Sequence, residues 1–143
     1  MDLFLFAPVC AVLGLVFAAY SFISMRREPA GNELMQKIAG AIRLGARVYL
    51  KRQYTAIAIF VILLAIVLAL VISPLTALCF IVGAVLSATA GYIGMNAATL
   101  ANVRTTQAAQ DGMARAFRVS FSSGMVEGMT VVSLGLLGLS GLF

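Results

Sequence analysis

Gly91-Tyr92-Ile93-Gly94-Met95-Asn96-Ala97-Ala98-Thr99-Leu100-Ala101-Asn102-Val103-Arg104-Thr105-Thr106-Gln107-Ala108-Ala109 decides how the chain is read. It begins inside an apolar run and leaves it at Asn102. At about 100° per residue on a helix, Gly83, Ser87, Ala90, Gly91, Gly94, Ala98 and Ala101 share one side, and Thr89, Tyr92, Asn96 and Thr99 share the other. A lipid-facing helix would carry Leu, Ile, Val or Phe over much of its circumference. Small faces let helix backbones approach closely, and polar faces in hydrocarbon need partners. The pattern predicts a helix sandwiched between others; the bland alternative is an Ala/Gly-rich span with incidental polar residues.

Working outward, the 143 residues are 62% hydrophobic and only 10% charged, against about 25% charged in a soluble domain. Long uncharged runs make this an integral, multi-pass membrane protein. All ten Lys and Arg lie in two inter-span segments, seven in residues 26–52 and three in 104–118. That distribution argues for positive-inside orientation and against a nucleic-acid partner. Both basic segments are therefore expected in the cytoplasm and both termini outside. No cleavable signal peptide is expected, since Asp2 stands where a basic region should be. Cys10 and Cys79 fall in spans without a CxxC or any His, so buried small hydrophobe is the default reading of each.

The expected spans are residues 3–25, 54–72, 75–101 and 119–143, with cytoplasmic segments 26–53 and 102–118. The fold class is all-α: four transmembrane helices in two antiparallel hairpins, part of a larger bundle. From the candidate cap Asn32, Leu34, Ile38, Ala41, Ile42, Gly45, Val48 and Tyr49 recur at helical spacing with no breaker before Tyr54. One helix from Glu33 to Ile72, about 60 Å long at 1.5 Å per residue, would carry the second span and a long cytoplasmic extension. An interfacial helix followed by a bend is the alternative. Ser73-Pro74 reads as a cap and first helical residue, and Asp111-Gly112 as a turn. In the fourth span Gly124, Gly128, Val131, Gly135 and Gly138 share a face. Gly83, Ser87, Gly91, Gly124 and Gly128 are the expected helix-packing residues.

Three stretches carry a family resemblance. Gly91-Tyr92-Ile93-Gly94-Met95 with Ala101-Asn102-Val103-Arg104-Thr105 resembles the third span of the membrane-integral pyrophosphatases, pumps that use pyrophosphate hydrolysis to move protons or sodium ions. Gly45-Ala46-Arg47-Val48-Tyr49-Leu50-Lys51-Arg52-Gln53-Tyr54 is similar to the entry into their second span, and Gly128–Gly138 to their fourth. The three are collinear and cover the N-terminal part of a much longer family. The resemblance implies a full protein of about sixteen spans, a homodimer, magnesium as cofactor and pyrophosphate as substrate. It places the first four spans in an outer ring around the catalytic helices, with the active site on the cytoplasmic side.

Pyrophosphate hydrolysis needs clustered carboxylates for magnesium and basic clamps for phosphate oxygens. The five carboxylates are Asp2, Glu28, Glu33, Asp111 and Glu127, no two at helical i, i+3 or i, i+4 spacing. No catalytic, cofactor-binding or metal-ligating residue is therefore assigned, and the chain alone is expected to be inactive. A complete small four-span transporter working through Glu127, or a non-catalytic assembly subunit, are the alternatives. The chain stops straight out of an apolar span, which makes truncation of a longer protein the expectation.

Glu127 is the only charged residue inside a span. A carboxylate at mid-bilayer costs about 2.5–3.5 kcal/mol on insertion scales, so it needs a partner, a proton or water. Counted from Arg118 it lies nine residues deep, and Asn96 lies eight residues deep counted from Arg104. Similar depth suggests an intramembrane polar cluster of Glu127 with Asn96, Thr99 and Tyr92, chiefly as a structural anchor, with coupling to ion movement as the alternative role.

Overall fold

In the computed structural model the described residues are 2–142, with side chains described from Phe6 onward. They form four helices: α1 (Asp2–Arg27), α2 (Glu33–Val71), α3 (Pro74–Gln110) and α4 (Met113–Leu142). Each is long and apolar enough to cross a membrane.

The helix ends follow local chemistry. Asn32 caps α2, its side-chain oxygen accepting from the Met35 N–H at 2.9 Å. No break interrupts α2 between Glu33 and Val71, a run of 39 residues. Ser73 caps α3, accepting from the Thr76 N–H at 3.1 Å, with Pro74 in the first turn. At the other end of α3, the N–H of Asp111 returns to the Ala108 carbonyl. Gly112 then reverses the chain at φ 131°, a conformation open to glycine.

In space the order is α2, α3, α4, α1. Helix α3 packs against both α2 and α4, while α1 packs mainly on α4, touches α3 lightly and, among the described residues, does not pack against α2. The α4 side that makes this possible buries Ala116, Val119, Ser123, Val126, Thr130 and Ser133. Their alternating three- and four-residue spacing keeps one narrow stripe turned inward. On α3 the buried set includes Ala90, Gly94, Ala97, Ala101 and Ala108. These are small residues that bring helix backbones close.

Loop and core chemistry meet at the basic end of the bundle. Met25, Ala101, Ala108, Ala116 and Val119 form a buried cluster, backed by Phe22 and Leu100. Just outside it, Arg115 of α4 donates to Glu28 of the α1–α2 loop at 3.0 Å and to Asp111. One guanidinium thus ties both basic-end connections together. Residues such as Phe60, Leu63, Leu70 and Val71 of α2 stay exposed, a surface for lipid or further helices.

Candidate functional site

Glu127 points toward the α2 side of α3. A Cβ built on Gly94 would stand 2.7 Å from Glu127 Cγ, 2.8 Å from Cδ and 3.1 Å from Oε1. Only a residue without a side chain lets the carboxyl group lie there. Around it is a recess of about 370 Å³ whose other walls include Tyr49, Gln53 and Tyr54 of α2 and Gly91 of α3. The Tyr54 hydroxyl donates to the Ala88 carbonyl at 2.7 Å, a hydrogen bond from α2 to α3 that closes one side of the recess. The same hydroxyl lies 3.3 Å from where a Cβ of Gly91 would be, so both Gly91 and Gly94 give room to a polar group from a neighbouring helix.

Glu127 and the Tyr92/Asn96 pair of the expected cluster line different recesses. Tyr92 and Asn96 line a separate recess of about 470 Å³ with Ala18, Ala19 and Phe22 of α1. The physical reason is azimuth. Depth counting fixes the height of a side chain but not its direction, and Gly94 and Asn96 are about 200° apart around the helix. Three polar residues of α3 find acceptors within their own helix. Thr89 donates to the Val85 carbonyl at 2.8 Å, the Asn96 amide to Tyr92 at 2.7 Å, and Thr99 to Met95 at 2.9 Å. Back-bonding of this kind satisfies side-chain donors within one turn.

The packing residues divide too. Gly83, Ser87 and Gly91 line a groove of about 550 Å³ between α3 and α4, facing Gly135 and Gly138. Two small faces set opposite each other leave space; Leu86 fills part of it, reaching within 2.8 Å of a Cβ built on Gly138. Beside Gly83, Gly124 and Gly128 there is nothing within 4 Å of a built Cβ. Within these four helices those three positions meet no close neighbour. A GxxxG pair offers close approach without naming the partner, and α1 and α3 take the Ser123/Val126/Thr130 side of α4 instead. A further close approach is at Gly14, on the ridge of small residues Ala7, Ala11, Gly14 and Ala18 that the sequence of α1 shows; its built Cβ would lie 3.5 Å from Ser133 Cβ and 3.3 Å from Met129 Cε.

The carboxylates do not suit a divalent cation. Among the described residues no three His, Cys, Asp or Glu side chains come together as metal ligands. Glu28 and Asp111 are drawn near each other only through Arg115, which occupies both. Glu127 stands alone on another level of the bundle. Magnesium does not fit this donor set, and no step of chemistry is routed through it here.

The sequence that builds these four apolar helices and their basic connections also matches known proteins. Residues 12–143 match the family described as inorganic H+ pyrophosphatase. The chain belongs to that family. It is 40% identical over 139 residues to a K+-insensitive pyrophosphate-energized proton pump of Methanosarcina mazei, covering 96% of this chain and 21% of the relative. It is 42% identical over 144 residues to a similarly named pump of Moorella thermoacetica, covering 100% and 21%. A putative K+-stimulated pyrophosphate-energized sodium pump of Clostridium tetani is 45% identical over 126 residues, covering 87% and 18%. The chain thus spans about a fifth of the length of these pyrophosphatase-family relatives, and they include both proton and sodium pumps.

Proposed function

We propose that this chain supplies outer-ring transmembrane helices of an ion-translocating membrane pyrophosphatase, which couples pyrophosphate hydrolysis to transport of protons or sodium ions. The observation that carries the reading is the match over 96% of the chain to a pump of which it covers 21%. The four apolar helices fit an N-terminal piece of such a pump. The hydrolytic site, with its magnesium and pyrophosphate, lies in the remainder of the protein, because the carboxylates here are scattered or already paired to Arg115. The partners are then the rest of the same pump, a second copy in a homodimer, and the bilayer.

The test compares two products. The full-length protein is expected to release phosphate from pyrophosphate in a magnesium-dependent way and to build an ion gradient in vesicles. The purified 143-residue chain is expected to release none above a denatured control. Hydrolysis by the short chain would overturn the assignment, as would a full-length protein that transports without pyrophosphate.

Orientation belongs to the same proposal. The ten basic residues, all between positions 26 and 118 in two segments, favour the cytoplasmic face for the basic end. The first half of α2 then projects from the membrane there, and both termini are extracytoplasmic. A cysteine placed at Ser73 should react with an impermeant reagent from outside and one at Ala109 should not; the reverse pattern would invert the topology.

A further inference from the structure

We infer that Arg26, Arg43 and Arg104 form a binding site for the phosphate group of an anionic phospholipid. The three come from different helices, at the end of α1, in the first half of α2 and toward the end of α3. They converge on a recess of about 300 Å³ whose lining holds no carboxylate. The charges that act on Arg104 are those of Arg43 and Arg26, both repulsive. The chain does have acidic residues at this end of the bundle, but Glu28 and Asp111 are engaged by Arg115 instead. Three like charges gathered without a counter-charge are a costly arrangement that an anion relieves.

The donors are also unspent. The Nε atoms of Arg43 and Arg104 are buried and have no hydrogen-bond partner, and a buried N–H without an acceptor is unfavourable. Arg104 is held in place by its own helix, donating from Nη1 to the Leu100 carbonyl at 2.8 Å. Gln36, also at the recess, is committed elsewhere, its amide donating to the Gly31 carbonyl at 3.0 Å. What remains is a set of guanidinium donors on one recess, that of Arg104 held by its helix and that of Arg26 lying over the Phe22 ring, a chemistry suited to the oxygens of a phosphate.

Position chooses a lipid over a soluble anion. Arg26 follows directly on the apolar run of α1, and Arg104 stands two residues beyond Asn102, where α3 leaves its apolar run. Those two ends mark the headgroup level, and the recess brings Arg43 of α2 to the same place, so the projecting part of α2 begins beyond Arg43 on its N-terminal side. Leu100 and Val103 supply an apolar wall beside the charges, as a site for a headgroup with its acyl chains below would need. Basic pockets between transmembrane helices at such a level are suited to anionic headgroups. The site is argued from these arginines alone, so it stands or falls separately from the pump assignment.

The test uses the full-length protein, delipidated in detergent and examined by native mass spectrometry and thermal unfolding. Phosphatidylglycerol, phosphatidylcholine of the same acyl chains, and millimolar inorganic phosphate are the probes. Phosphatidylglycerol is expected to be retained and to raise the unfolding temperature; phosphatidylcholine is not. Arg43→Gln with Arg104→Gln is expected to lower phosphatidylglycerol retention about tenfold, the size of a lost charge-assisted contact of about 1.4 kcal/mol. Arg26→Gln, at an exposed position and so safe for folding, should lower it several-fold. Equal retention by Arg26→Gln and the wild type would overturn the inference. So would displacement of the lipid by inorganic phosphate, which would mark a site for a soluble oxyanion. Equal effects of the two lipids on the wild type would overturn it as well, and would assign the recess to an acidic side chain from the rest of the pump.

Discussion

The carboxyl stem of Glu127 lies across Gly94, so close that a methyl group on Gly94 would meet Glu127 Cγ at 2.7 Å. An intramembrane acid is thereby seated against a neighbouring backbone rather than against a polar side chain. The seat depends on glycine for space, not for conformation, because α3 is regular there.

Gly94→Ala is therefore expected to push Glu127 off α3, at a cost of about 0.5–1.5 kcal/mol, since the clashing atoms belong to an exposed, flexible side chain that has only to leave its rotamer. The measurement is the thermal midpoint of the detergent-purified full-length protein. Glu127→Ala in the same background should return part of the loss, since it removes the atoms that clash. A double-mutant cycle with no coupling between the two positions would show that they do not touch.

Helix number and helix ends were legible in the sequence because they are local properties. Asn32, Ser73-Pro74 and Asp111-Gly112 each act within a few residues, through a cap, a fixed φ or a reversal. The partner of each face was not legible. Periodicity places Gly94 and Asn96 on opposite sides of α3, yet says nothing about which side α2 or α1 will take. Depth matching of Glu127 with Asn96 leaves the azimuth open for that reason. The Tyr54–Ala88 hydrogen bond spans 34 residues and two helices, and a tyrosine at the edge of an apolar run has the ordinary look of an interfacial aromatic. The Gly124/Gly128 pair carried a recognisable motif and still met no neighbour among the four helices.

Tyr54→Phe isolates that one hydrogen bond. The Ala88 carbonyl sits within the regular α3 helix, so loss of the hydroxyl leaves no stranded acceptor. The expected loss is about 0.5–1.5 kcal/mol, that of a single neutral hydrogen bond. Tyr54→Ala should cost more, because the ring goes as well. A Tyr54→Phe protein as impaired as Tyr54→Ala would mean that the hydroxyl has a role other than joining α2 to α3.

The placement of α1 against α4, rather than against its sequence neighbour α2, can be tested covalently. A Cβ on Gly14 would stand 3.5 Å from Ser133 Cβ, within the separation of about 3.5–4.5 Å that disulfides adopt. With Cys10 and Cys79 replaced by Ser, the pair Gly14→Cys and Ser133→Cys should oxidise readily. A protease site inserted in the Glu28–Asn32 loop makes the bond visible, because the cut halves stay joined without reductant and separate with it. Gly14→Cys with Leu64→Cys in α2 is the control and should not join, since α1 and α2 do not pack. Efficient joining of the control pair, with none between positions 14 and 133, would move α1 to the other side of the bundle. It would also take away the helix that, with α3 and α4, walls the recess of Tyr92 and Asn96.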